Sequence, residues 1–348
     1  MNQGLALGLT SLLAGTLGIA AMQHQDGASR LCTAAQAFVD GLPPEQRALA
    51  VAARDDSQRL QWHYVPREYP GVSFAALDAP ATARAGALLR CVLSDQGMRK
   101  VEAIRALEDV LAAIERAAGK DARQRDPLRY WLQFFGAPDA QAAWAFRLQG
   151  HHVSLHFTVE HGRLVAATPA FLGSNPHEVP SGPHRGERVL GRIEDLARGL
   201  LATLDGPQLQ QAMLAVAAPA DVLAGPGRDD AMRAAPQGLP AAAMDGTQRD
   251  LLWRLLREFV EDDEGQFAAD VLARIDAAGR DKLCFGWAGS TQRGQGHYFR
   301  VHGPTVWIEY DNTQDAANHV HALYRDLQRD FGGDPLREHL QRDHGVGR

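Results

Sequence analysis

The sequence is poor in the residues that usually announce a chemistry. Cysteine occurs only at Cys32, Cys91 and Cys284 among 348 residues. No pair has CxxC spacing, which removes support for zinc-ribbon and thioredoxin-like chemistry. An odd, sparse set is also no disulfide framework, although one bridge after export stays open. Cys91, in the apolar run LLRCVL, reads as a core residue. There is no HExxH pair, no GxxxxGK[ST] or GxGxxG phosphate loop and no GxSxG elbow. Basic residues are outnumbered (36 Lys+Arg against 42 Asp+Glu, net charge −6) and scattered among acids, so no nucleic-acid footprint is present.

Charge is missing from the first 25 residues as well; Asp26 is the first charged side chain. The stretch GLALGLTSLLAGTLGIAAMQ, ending near a small-residue cleavage site, reads foremost as a signal peptide. A membrane anchor and a buried N-terminal helix are the alternatives. The expectation is a periplasmic or secreted protein, or a membrane-anchored one, whose only membrane contact is through residues 1–25.

What the chain does have is a repeat. Residues 146–157 read FRLQGHHVSLHF and residues 299–310 read FRVHGPTVWIEY, a shift of 153 (146 to 299). Upstream, ATARAGALLRCVLS (81–94) parallels GTQRDLLWRLLREF (246–259), and DVLAAIERAAG (109–119) parallels DVLARIDAAG (270–279). Apolar residues three and four apart predict helices there. WLQFFGAPD and CFGWAGSTQ precede the two hairpins, with Gly136 and Gly289 in register. Further helices are predicted at RIEDLARGLLATL and DAANHVHALYRDLQRDF, each closing one unit. The predicted fold is α+β: internally duplicated α-α-β-β-α units with antiparallel hairpins packed around a pseudo-twofold. One domain over 26–348 would contain repeat one (78–217), an Ala/Pro/Gly-rich connector (218–243) and repeat two (244–342).

In the hairpins, Gln149-Gly150 and His302-Gly303 are the expected two-residue turns. Alternation then puts Phe146, Leu148, Val153, Leu155 and Phe157 on one face, and Phe299, Val301, Val306, Ile308 and Tyr310 on the matching one. The opposite faces carry Arg147, His152, Ser154 and His156, and Tyr298, Arg300, Thr305, Trp307, Glu309 and Asp311. These turns would set Arg147 across from His152 and Arg300 across from Thr305.

Longer stretches carry a family resemblance: WHYVPREYPGVSFAAL (62–77), GHHVSLHFTV, TPAFLGSNP (168–176), GPTVWIEYDNTQDAANHVHALYRD (303–326) and LREHL (336–340). They resemble the bacterial and fungal family catalogued as domain of unknown function 3500, from about Gln58 to the end. The resemblance implies no activity; members often carry export signals. The family pattern usually has Asn where this chain has His156.

Twelve of fourteen histidines fall in 151–184 and 297–344, around and after the hairpins. Imidazole is a common metal ligand and a general base near neutral pH. If the polar faces meet between the repeats, His152 with Glu309, Asp311 and His319 are the candidate ligands for a divalent transition metal. Arg147, His152, Arg300, Glu309 and Asp311 are the candidate catalytic residues. His152 and His156, about 13 Å apart along a strand, cannot share an ion. His151 and His152 are expected on opposite faces. On a helix after Asn318, His319 and His321 would flank opposite edges of the buried stripe and would not bind one ion together. The competing readings are a solvated polar face, with Asn312 or Thr313 capping the following helix, and a non-catalytic cleft for a small molecule or peptide beside the Gly/Pro-rich loop 171–186.

Overall fold

Helices Ala79–Leu89, Asp95–Ala117, Gly206–Ala212, Gly246–Val260 and Gly265–Gly279 begin at side-chain caps, and the hairpin strands form where apolar residues alternate. The computed structural model describes residues 30–333; the expectations for 1–25 and for the segment after 333 lie outside them. Helices α1 (residues 30–40) and α2 (Pro44–Ala50) lead to short strands β1 (Val51–Ala52) and β2 (Val72–Ser73). Helices α3 (Ala79–Leu89) and α4 (Asp95–Ala117) precede β3 (Tyr130–Phe135), β4 (Ala143–Gly150), β5 (Val153–Glu160), β6 (Arg163–Ala166) and β7 (Ala170–Ser174). The second half runs α5 (Gly191–Ala202), α6 (Gly206–Ala212), β8 (Met213–Ala215), β9 (Leu239–Pro240), α7 (Gly246–Val260) and α8 (Gly265–Gly279). It ends with β10 (Cys284–Gly289), β11 (His297–His302), β12 (Val306–Gln314) and β13 (His319–Asp326).

Asp78 and Ser94 cap α3 and α4 through the amides of Ala81 and Gly97. DGPQ and DGTQ form capping boxes at α6 and α7, Asp205 with Gln208 and Asp245 with Gln248. Among the described residues no helix is long and apolar enough to cross a membrane.

All thirteen strands join one mixed sheet, with the main order β1-β3-β4-β5-β7-β13-β12-β11-β10-β8. The outermost strands β1 and β8 run parallel to β3 and β10, while β7 and β13 pair antiparallel at the centre. Both apolar hairpin faces are buried, in one core with Leu88, Ile104, Leu200, Leu255 and Phe259 from the helices. Cross-strand stacks run through it: Phe134–Phe146–Phe157 at 5.5 and 4.9 Å, and Trp287–Phe299–Tyr310 at 6.0 and 4.9 Å.

The opposite, polar face is not solvated. Arg147, His156, Glu309 and Asp311 are all buried. Two irregular segments cover them, one about 53–71 and one about 216–238. Arg147 Nη1 donates to the carbonyls of Gln58 (2.9 Å) and Gln61 (2.6 Å) in the first cover. Arg300 Nη2 donates to Gln237 Oε1 (3.0 Å) in the second. Trp62 and Tyr64 from the first and Val222 and Ala224 from the second share a satellite core with Phe171, Trp307 and Leu323.

Three local expectations are corrected. Each helix pair is followed by more than the two expected strands, five after α4 and four after α8, beginning with β3 and β10 in WLQFFGAPD and CFGWAGSTQ. The hairpin turns sit further along: His151-His152 links β4 to β5, and Gly303–Thr305 links β11 to β12. Arg147 therefore pairs with His156 and Arg300 with Glu309. Gly150 is needed for another reason than its φ, since a Cβ there would lie 2.3 Å from the Tyr130 ring. Finally, the segment after Asn318 is strand β13, not a helix, so Asn312 and Thr313 lie in β12 and cap nothing. Val320, Ala322 and Tyr324 supply a two-residue period beside the helical one, and partners on both sides, β7 and β12, select the strand.

Candidate metal centre

His152 occupies the second turn position after β4, with left-handed backbone (φ 63). Three contacts hold it. Its amide donates to Tyr64 O (2.9 Å), its carbonyl accepts from Gly173 N (2.7 Å), and its ring lies where a side chain on Gly173 would go. Strand β13 sets His321 directly opposite Gly173. Residues two apart on a strand share a face, so His319 and His321 both project toward His152.

The three Nε2 atoms converge. His152 Nε2 is 2.9 Å from His319 Nε2, and His319 Nε2 is 3.1 Å from His321 Nε2. One ligand atom from each of the three residues lies within 4.8 Å of the others. Metal–nitrogen bonds of about 2.0–2.1 Å put adjacent ligand nitrogens about 2.9 Å apart at a right angle and about 3.3 Å apart at a tetrahedral one. The two short separations fall in that range.

The outer nitrogens are occupied. His321 Nδ1 donates to Asp221 Oδ1 (2.7 Å), whose Oδ2 accepts from Tyr64 OH (2.8 Å). Tyr64 in turn stacks on Phe171 at 3.8 Å. His319 Nδ1 contacts Asp315 Oδ2 (3.0 Å) and, at 3.3 Å, Asn175 Nδ2; the shorter contact, to a carboxylate, makes Nδ1 the donor. Neutral imidazoles with Nδ1–H so used present bare lone pairs at Nε2. Two such lone pairs face each other at 3.1 Å, an arrangement that a shared cation relieves. Carboxylate behind histidine is also the usual outer support of a metal-bound imidazole.

Electrostatics favour the neutral, ligating form. Burial pushes His152 well below the ordinary imidazole value, helped by His151, His319 and His321. Burial and His321 lower His319 to about 4, against Asp315. Burial works to raise Asp221, but its bonds to His321 and Tyr64 outweigh that and hold it below the usual carboxylate range. His319 is the most open of the three, with its side chain 13% exposed.

Of the candidate ligands read from the sequence, His152 and His319 are in this cluster, and Glu309 and Asp311 are not among its members. Both Glu309 oxygens are consumed elsewhere, by the amides of Leu223 and Ala224 and by Tyr298 OH. Asp311 lies across the strands from His321. Its Oδ1 accepts from Thr313 N and Oγ1, while its Oδ2 is buried and unpartnered. Burial and Asp221 raise it to about 7 against the Thr313 bonds. Arg147 and Arg300 hold the two covering segments. His156 is buried beside Ser154 Oγ (3.1 Å) and Trp62, outside the cluster. His151 stacks on His152 at 3.8 Å and bonds to Glu108, so the two rings lie together and not on opposite faces.

Sequence reasoning missed His321 as a partner of His319, together with Asp221, Tyr64, Asp315 and Gly173. The HVH spacing in NHVHALY was the available signal for the first; the others come from distant segments with no local mark. No curated protein and no solved structure shows significant similarity to the chain. The family described as Protein of unknown function (DUF3500) matches residues 24–333, and the chain belongs to that family.

Proposed function

We propose that His152, His319 and His321 hold one divalent transition metal and that the protein is an extracytoplasmic metal-dependent enzyme acting on a small molecule or peptide. The observation that carries this is the convergence of three Nε2 atoms, two of them backed by carboxylates on Nδ1. Three neutral imidazoles with an open position suit zinc, iron or manganese. A metal so held supplies Lewis acidity and a bound water of lowered pKa. Asp311, raised to about 7 with one free oxygen, is the carboxyl suited to take and return a proton near neutral pH.

The site's position also supports an origin by duplication. Both halves have a parallel outer strand, an antiparallel two-residue strand on the next one, and a left-handed glycine closing or just following that next strand, Gly136 (φ 81) and Gly289 (φ 82). Gly173 N donates to His152 O, and Leu327 N donates to Thr305 O. The shift of 154 between those donors (173 to 327) matches His319 with Val165 and His321 with Ala167, while His152 matches Thr305. A pseudo-twofold would therefore bring the three histidines together at one of two related places and no ligand at the other. Failure of residues 130–160 to superpose on 284–314 would count against duplication. Export is supported by the charge-free first 25 residues; an intact Met1 on protein confined to the cytosol would refute it.

A second reading, ligand binding without catalysis, is favoured by a cavity of about 310 Å³ whose lining includes His177, Arg188, Glu194, Arg293, Asn312 and Asn318. Asn312 also accepts from His319 N (3.2 Å), so this cavity adjoins the cluster.

Metal analysis of tag-free protein tests the metal reading. One transition metal per chain, lost in folded His152→Ala and His321→Ala variants, is the expected result. Folded wild-type chain that takes up no zinc, cobalt or manganese refutes it.

A further inference from the structure

The connector supplies a side chain to the cluster, and its own attachment to the sheet is made by another. Asp221 precedes three consecutive amides that all end on carboxylates. Val222 N donates to Asp221 Oδ1 (2.7 Å), Leu223 N to Glu309 Oε1 (2.6 Å) and Ala224 N to Glu309 Oε2 (2.8 Å). Tyr298 OH adds a third bond to Glu309 (2.7 Å). Arg325 fastens the same stretch from β13, through Ala224 O (2.9 Å) and Asp229 (2.9 Å). Glu309 has no accessible surface, and nearly all of the connector over 216–238 that it holds is irregular, so side-chain anchors replace the ladder bonds that a strand would have.

We propose that Glu309 is a positioning residue for the metal centre, acting through the connector segment that carries Asp221. The inference rests on the metal reading above. Asp221 is two residues from the first Glu309 bond, a span of at most about 7 Å of extended chain. Movement of Leu223 off Glu309 is therefore transmitted to Asp221 with little slack. Asp221 then no longer fixes the Nδ1 hydrogen of His321, and in the metal-free chain the ring is not held to one tautomer and aim, an ordering that binding of the metal must then supply at a cost in affinity. Glu309 thus matters to the metal without touching it.

Glu309→Gln is the perturbation. The amide keeps one acceptor and turns an NH2 group toward one of the two backbone N–H donors, which must separate. The expected result is a Kd for zinc weakened about 10–100-fold, as for loss of an outer-shell partner. Asp221→Ala should show a similar loss, and the double variant should be no weaker than Asp221→Ala alone. Cobalt-loaded Glu309→Gln at saturation should keep the wild-type visible spectrum, because its three ligands are unchanged. Wild-type affinity in Glu309→Gln, or additive losses in the double variant, overturns the inference while leaving the metal reading intact. A changed cobalt spectrum overturns it in favour of direct ligation. Wild-type protein without metal refutes the underlying reading and this inference with it. If Glu309→Gln does not fold, Tyr298→Phe removes one of its bonds and keeps the charge. A smaller loss in the same direction, absent from the Asp221→Ala background, is then expected; no loss overturns the inference.

Discussion

Replacing Gly173 with alanine probes how tightly His152 is held. The new Cβ would lie 2.8 Å from Cδ2 and Cγ of His152 and 3.1 Å from its Cβ. Carbon atoms rest about 3.5–4.0 Å apart, so the ring or the strand must give way by about 1 Å. A metal site tolerates ligand displacements of about 0.2 Å. Gly173 is not among the residues of positive φ, so the methyl group is the only insult. Overpacking of this kind costs about 1–3 kcal/mol. The metal-free variant should lose that much in chemical denaturation. Its Kd for zinc, measured by competition with a chromophoric chelator, should weaken by at least about tenfold, as when a ligand's support is disturbed. The decisive comparison is a cycle with His152→Ala, which vacates the space. There the methyl should cost little stability. Equal costs in both backgrounds, or unchanged zinc affinity in the single variant, would show that Gly173 does not exist to admit the His152 ring.

Three further outcomes follow from burial and charge. Asp311 is raised in the fold from its usual value to about 7, so the fold loses stability as pH rises from about 4 through 7. Asp311→Asn should therefore gain in Tm relative to wild type between pH 5 and pH 8; a constant difference would contradict the assignment. Histidines 297, 302 and 319 shift the other way, from 6.5 to about 4, so their contribution is complete above 6.5 and is lost as pH falls toward 4. Arg147→Ala frees the carbonyls of Gln58 and Gln61 and leaves the buried Gln133 Oε1 without its donor, a cost of about 1–3 kcal/mol for an unsatisfied buried group. Amide exchange should accelerate across 53–71 first, and uniform acceleration over the whole chain would contradict its role as the clasp of that segment.

Local physics made part of this protein readable. Apolar residues three and four apart over 246–259 mark α7, and alternation from Phe146 to Phe157 marks a buried face, because helical periodicity and pleating act within a few residues. His152 and His319 were recognisable as ligand types for the same reason. The turn was misplaced because Gly150 answers to the Tyr130 ring, which reaches it from the neighbouring strand β3. The segment from His319 to Asp326 satisfies both the helical and the strand period, and only β7 and β12, on either side of it, settle which one wins. That choice brings His321 into the cluster.

The sequence alone thus determined the α+β character, the apolar hairpin faces, the family and the types of side chain available for chemistry. The tertiary structure decided that the polar face is buried and which imidazoles meet. Those outcomes depend on segments far apart in the chain, with Tyr64 and Asp221 supplied by the covers and Gly173 by β7. Contacts of that kind leave no period or cap in the local sequence; they exist only once the sheet has closed at β7 and β13.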